Sequence, residues 1–380
     1  MVASAALVVE SRMKFVGPNN LYRKSGGRPE KRVVSLRGRQ GGSQRIFQRC
    51  KVNMGEGHRV STQLAERVLG FYDLPRNASV QLISFSENEI YKVEAPSGRR
   101  WALRLQRPGY QSENSLASEI AWLAALREDG VVATPVPVAG LNGEWIQLVR
   151  HPMTGDSRNA VLFEWENGCQ PEIGMDLRRC FRNLGTISAQ MHAHSRKWQR
   201  PKGFERFTWN FETALGETPR WGPWRDGLGM TAAMLDLFGR TAEVIRERLA
   251  CYGSGPERFG LAHCDLRLAN LLVHEGEVKV IDFDDCGFGW YMYDAATPLS
   301  FYEHLPQVPS LIDVWLEGYR TVSAVSKADE EEIPTFMMLR RLLLVAWVAS
   351  HKETELARSL GVSYTEQTVP LCSAYLRRFG

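Results

Sequence analysis

Apolar residues recur at helical spacing in GHRVSTQLAERVLGFYDL (57–74), at Val60, Leu64, Val68 and Leu69, which predicts a leading helix. The period then drops to two. SVQLISF, NEIYKVEA and RRWALRLQ (79–106) read as three strands of an antiparallel meander, with PSG (96–98) as the turn between the second and third. SLASEIAWLAALRED (115–129) returns to helical spacing. A Pro-rich connector, TPVPVAG, and two further strands, GEWIQLVR and AVLFEW, fill the chain to residue 165.

After ENGCQPE the pattern becomes helical. Long periodic stretches cover 175–198 and 230–253, and LIDVWLEGYRTV and IPTFMMLRRLLLVAWVASHKETELARSLG supply two more near the end. An aromatic, Pro- and Gly-rich segment (202–224) separates the first two. The pattern predicts an α+β fold of two lobes, a small antiparallel-sheet lobe with one main helix over 57–165 and a mostly helical lobe over 166–380.

Composition adds a charge asymmetry. The net charge of +4 conceals twelve Lys or Arg against two acids in residues 1–53, which is +10, leaving −6 for the rest. Residues 1–56 are expected to form a basic, disordered extension, with Met54 as an alternative start. Nucleic-acid binding is an expectation only for that arm. The 44% hydrophobic content and the lack of an apolar run near the ~18 residues of a spanning helix point away from a membrane protein. Seven scattered cysteines without a CxxC pair fit a reducing cytoplasm.

The chemistry concentrates in HCDLRLANLLVHEGEVKVIDFDD (263–285). A short strand, an Glu-Gly turn and a second strand form a hairpin, which brings His263, Asp265 and Asn270 at one end opposite Asp282 at the other. Carboxylates crowded in a cleft repel unless a cation sits among them. Oxygen-only donors suit Mg²⁺, with phosphate and water completing its shell. An Asp followed five residues later by an Asn, and then by an Asp on a following strand, is the spacing of a phosphoryl-transfer site.

The segment LAHCDLRLANLLVHEGEVKVIDFDDCGFGWYMYDAATPLS resembles the aminoglycoside phosphotransferase and choline kinase superfamily, whose pattern is H-x-D-x-x-x-x-N, I-D-x and a later Asp near Y-D. The segments ALRLQRP, SEIAWL, LGTISAQMHAHS and RRLLLVAWVASH are similar to its homoserine kinase type II-like subgroup. The resemblance implies a protein-kinase-like fold that uses ATP and Mg²⁺. It implies Asp265 as catalytic base, His263 as a brace for the loop, Asn270 and Asp282 as metal ligands, and Asp294 as a structural aspartate. Asp284 is expected either at a second metal or in a loop salt bridge. Arg104 and Glu119 occupy the places of the kinase cation and its helix partner, with Arg standing where Lys is usual. Ser86 to Asn88 replace the glycine-rich phosphate loop, and the backbone near Glu164 to Glu166 is the expected adenine contact.

His192 and His194 read as packing or surface residues, as does His351. The tryptophans 198, 209, 221 and 224 read as packing residues or as a wall of the acceptor pocket, and Cys264 and Cys286 as small hydrophobes. The expected activity is transfer of the γ-phosphate to a hydroxyl of a small molecule: an amino acid, an amino alcohol or an aminoglycoside-like compound. The alternatives are an atypical protein Ser/Thr kinase and a nucleotide-binding pseudokinase that serves as an interaction module.

Overall fold

The computed structural model describes residues 56–86 and 88–380; the expectations for residues 1–55 and Glu87 lie outside the described residues. Helix α1 (Glu56–Val68) carries Leu64, Ala65 and Val68 into a small core. That core is closed by strands β1 (Ser79–Phe85), β2 (Glu89–Glu94) and β3 (Arg100–Leu105). The expected PSG turn joins β2 to β3: Ala95 N–H donates to Arg99 O at 2.8 Å, and Gly98 takes the left-handed conformation.

Helix α2 (Glu113–Glu128) starts at Ser112, whose hydroxyl accepts from Ser115 N–H. The expected Pro-rich connector contains a short strand, β4 (Pro137–Val138), because Val138 lies alongside Leu162 of a long later strand. With β5 (Ile146–Arg150) and β6 (Ser157–Glu164) the sheet is antiparallel throughout, in the order β1-β2-β3-β6-β4 with β5 also on β6. The two-residue period decides what each face carries. Leu103, Leu105, Ala160 and Leu162 face the α1 core, whereas Arg104, Val161 and Phe163 face α2 and the helical lobe.

The helical lobe contains α3 (Arg178–Ser195), β7 (Thr208–Trp209), α4 (Phe211–Leu215), α5 (Ala232–Tyr252), β8 (Phe259–Ala262), β9 (Leu271–His274), β10 (Glu277–Val280), β11 (Gly287–Trp290), α6 (Tyr293–Ala296) and α7 (Val308–Tyr319). It ends in α8 (Lys327–Ser350) and α9 (Glu355–Phe379). Gly185 on α3 and Gly318 on α7 let those helices touch backbone to backbone. A Cβ at either glycine would lie 1.9 Å from a carbonyl oxygen of the facing helix. The stretch expected as one helix over 333–361 divides at Thr354, which caps α9. Its first half begins earlier, at a capping box formed by Ser326 and Asp329.

By length and composition α8 could cross a membrane, yet 78% of its apolar window is buried inside the protein. The aromatic, Pro- and Gly-rich segment supplies β7, which pairs with β11 in a three-stranded sheet with β8. Through Leu116, Ile120 and Leu123, α2 shares one continuous core with the helical lobe.

Candidate active site

β8 delivers the chain to residue 263, where the backbone makes an unusual bend. Cys264 adopts a φ of 64°, a left-handed conformation that a side chain disfavours and that surrounding contacts must hold. The holding group is Asp294 at the start of α6. Its carboxylate accepts from the backbone N–H groups of His263 (3.2 Å) and Cys264 (2.8 Å) and from His192 Nε2 on α3 (2.9 Å). Tyr319 OH meets the other nitrogen of His192 at 3.0 Å. Burial lowers the His192 pKa. His263 is fully buried, and burial lowers its pKa as well. Its Nδ1 accepts from Asp265 N–H and its Nε2 faces Ile281 O, each at 3.3 Å, so it braces the loop to the next hairpin strand.

This loop presents Asp265 among donors. Asn270 Nδ2 bonds both the backbone oxygen and Oδ2 of Asp265 at 2.8 Å. Arg340, a buried residue of α8, donates to Oδ1, and Arg267 Nε stands 3.3 Å from Oδ2. Burial by itself would push the Asp265 carboxyl up, but Arg267, Arg340 and His263 together hold it below the usual carboxylate range. Arg340 is itself fixed by Ser300 Oγ at 3.0 Å and Tyr293 OH at 3.3 Å, and its guanidinium lies 5.3 Å from the Trp221 ring.

The expected hairpin is β9 with β10. Leu271 pairs with Val280, and the turn residues Glu275 and Gly276 have φ of 51° and 83°. The positive φ at both is the geometry of a two-residue turn that matches strand twist. Pairing continues past the strands, as Ile281 N–H donates to Asn270 O at 2.9 Å, so Asn270 lies opposite Ile281, the residue before Asp282. Asp282, like Cys264 and Glu275, is a non-glycine residue in the left-handed region, at φ 61°. Its carboxyl is pushed up to about 7, by burial first and then by Asp284, against the pull of Arg104.

Asn270 Oδ1 is buried and has no hydrogen-bond partner. An orphan amide oxygen beside a carboxylate disfavoured as an anion is a donor set that fits a hard divalent cation. Among the described residues no three His, Cys, Asp or Glu side chains converge on such a point, so phosphate and water oxygens would complete the shell.

The sheet lobe forms the opposite wall. Arg104 and Glu119 meet in a two-pronged ion pair, 2.8 Å at each prong, with both side chains buried. The pair borders a cleft lined also by Ala102, Phe163, Glu164, Glu166, Ile281 and Asp282. Glu164 and Glu166 therefore lie where the adenine contact is expected, and Glu166 is held by Lys279 at 2.6 Å. Ser86 N–H donates to Asn88 O at 3.0 Å, near the expected phosphate contacts.

The side chains of two expected site residues, Asn88 and Asp284, meet each other. The Asn88 side chain is engaged by Asp284 at 2.8 Å and by Arg107 N–H at 3.2 Å. The Asp284 carboxylate faces the sheet lobe, where Asn88, Gln106 and Gln111 occupy its oxygens.

The sequence spacing brings Asp265, Asn270 and Asp282 into one segment but does not single out Arg267 and Arg340, while His192 is buried as the packing reading expected. Arg267 sits inside the motif and could have been noticed. Arg340 lies 75 residues downstream in an apolar helix, where only a charged residue on an otherwise buried face hinted at a partner. Of the tryptophans, 209, 221 and 224 are buried, and Trp221 adjoins Arg340.

The solved structure of a microcompartment-associated aminopropanol kinase is 41% identical, covers 84% of this chain and 98% of its own, and superimposes with a TM-score of 0.78. The amicoumacin kinase of Bacillus subtilis (strain 168) is 23% identical over 70% of this chain and 78% of its own length. An amicoumacin kinase solved with AMP-PNP, Ca²⁺ and Ami shares the fold at 19% identity, covering 86% of this chain and 96% of its own with a TM-score of 0.69. The model of the phosphotransferase enzyme family matches residues 80–331, about two thirds of the sequence, and the chain belongs to that family.

Proposed function

We propose that the cleft binds Mg-ATP and that Asp265 faces the hydroxyl of a small amino alcohol or hydroxy amino acid, the chain being a small-molecule kinase with an alcohol group as acceptor. The observation that carries the assignment of roles is the Asp265–Asn270–Asp282 arrangement, in which one amide oxygen is left without a partner. The acceptor class rests on the 41% identity to an aminopropanol kinase.

In this reading the acceptor oxygen attacks the γ-phosphorus, the bond from that phosphorus to the β,γ-bridging oxygen breaks, and the electron pair leaves with ADP. The hydroxyl proton passes to the Asp265 carboxylate. A loose transition state needs little proton abstraction early on, so a base held below the usual carboxylate range suffices to orient the hydroxyl. Asn270 and Asp282 hold the cation, which neutralises charge on the phosphate oxygens when bound. Arg104, kept in place by Glu119, offers Nε, an N–H without a protein partner, to the nucleotide. Ser86 and Asn88, just before β2, are the proposed phosphate-facing residues. Residues 57–165 serve nucleotide binding and 166–380 acceptor binding and chemistry. The cytoplasm is the proposed location; the described cysteines are all unpaired, in keeping with a reducing compartment.

The test is a panel of amino alcohols, hydroxy amino acids and aminoglycosides, followed by ADP release with the native protein and with Asp265→Asn. ADP release that requires both an acceptor and Asp265 is the expected result. Release that is equal in the two proteins, or none with any acceptor, would overturn the assignment.

A further inference from the structure

The carboxylate two residues beyond Asp282 has a different set of neighbours from its own lobe. Asp284 is 4% exposed, and its side chain is directed out of the helical lobe into the base of the sheet lobe. Oδ2 accepts from Asn88 Nδ2 at 2.8 Å. Oδ1 accepts from Gln106 Nε2 at 3.0 Å and Gln111 Nε2 at 2.5 Å, with Arg104 Nη1 at 3.7 Å. Its backbone oxygen takes a further bond from Gln111 at 2.6 Å and one from Arg206.

The donors come from separate pieces of the nucleotide wall. Asn88 closes the turn before β2, Gln106 follows Arg104 at the end of β3, and Gln111 precedes α2, the helix that carries Glu119. Between Asp282 and Asp284, Phe283 packs on Trp122 of α2 at 5.7 Å and on His263 of the loop at 4.5 Å. Three consecutive side chains thus face the cleft, the shared core and the sheet lobe in turn.

We propose that Asp284 is a positioning residue that latches the sheet lobe to the metal hairpin, rather than a ligand to a second cation. The inference rests on the reading of Asn270 and Asp282 as the metal pair. A buried carboxylate holding three neutral amide donors and a nearby guanidinium has its strong acceptor directions filled. A cation there would have to displace amides that the sheet lobe has no other means to satisfy, and buried unsatisfied amides are costly. The latch fixes the turn at 86–88, Arg104 and the start of α2 relative to Asp282, so the phosphates and the loop are brought into one geometry.

The test separates ligand from latch. Mn²⁺ is titrated by electron paramagnetic resonance in the presence of ADP, and amide hydrogen exchange is followed over residues 106–115, for the native chain, Asp282→Asn and Asp284→Asn. Asp282→Asn is expected to weaken Mn²⁺ binding by about tenfold or more, and Asp284→Asn by no more than about twofold. Exchange over 106–115 is expected to quicken by about tenfold in Asp284→Asn and to stay near native in Asp282→Asn. Loss of Mn²⁺ from Asp284→Asn as severe as from Asp282→Asn would overturn the latch, as would native exchange in Asp284→Asn. If Asp284→Asn does not fold, Asn88→Asp sets a like charge against an intact Asp284. Faster exchange over 106–115 with Mn²⁺ binding retained then supports the latch, and native exchange overturns it. A native chain that binds no Mn²⁺ with ADP would instead refute the metal assignment of Asn270 and Asp282, while the exchange comparison still decides the latch.

Discussion

Two buried arginines, one in each lobe, hold different carboxylates. Arg104 on β3 is gripped by Glu119, a carboxylate that takes no part in the proposed chemistry, and keeps one N–H without a protein partner. Arg340 on α8 is gripped by Asp265, the proposed base itself, and by Ser300 and Tyr293. Burial and charge are alike, so the partner decides the role. In the proposed function Glu119 makes Arg104 a fixed cation for phosphate, whereas Arg340 is the setting of the proposed base, whose carboxyl it helps to hold below the usual range.

The comparison breaks most visibly at Asp265. Asp265→Asn keeps the shape but loses the proton acceptor and the charge that Arg340 needs. A fall in kcat of about 10²–10⁴-fold is expected with ADP affinity retained, measured by steady-state rates and calorimetry. Arg340→Leu leaves Asp265 with a missing buried counter-charge, and a stability loss of about 3–5 kcal/mol is expected in urea unfolding. The same variant sharpens the assignment through pH. Arg340 helps to hold the Asp265 pKa down, so its removal raises that pKa, and the acid limb of the kcat/KM profile should move to higher pH.

Gly185→Ala, remote from both arginines, is a control for stability alone. Its methyl would meet Trp315 O, so a loss of about 1–3 kcal/mol is expected without any shift in the pH profile. The smallest effect is expected from Arg104→Lys, which keeps the charge but loses the two-pronged pairing with Glu119. The KM for ATP should rise by about three- to tenfold, roughly 1 kcal/mol, with the acid limb unmoved. A shift of that limb in Arg104→Lys would dissolve the distinction between the two arginines.

Much of the sheet lobe was legible because its strands bury one face at a time. The alternation in RRWALRLQ places Leu103 and Leu105 on one side and Arg104 on the other, and SEIAWL brings Glu119 to the same side by helical spacing. The hairpin was legible for a related reason: Glu-Gly between two short apolar runs permits a turn with positive φ at both residues. The β4 strand escaped notice because two residues are too few to establish a period. The division of the last helical stretch at Thr354 was hidden for the opposite reason, as apolar residues continue on both sides of the cap.

Asp284 marks the limit of motif reading. Its place beside Asp282 suggested metal chemistry or a loop salt bridge, while the structure surrounds it with amides from residues 173 to 196 positions earlier in the chain.

By itself, the sequence determined the lobes, the hairpin and the neighbourhood of Asp265, Asn270 and Asp282, because each follows from residues close together in the chain whose spacing fixes their geometry. Only the tertiary structure decided which charges meet one another. Arg340 meets Asp265, His192 meets Asp294 and Asp284 meets the sheet lobe through contacts between distant segments. Local periodicity specifies which face a residue occupies, and only packing specifies what that face meets.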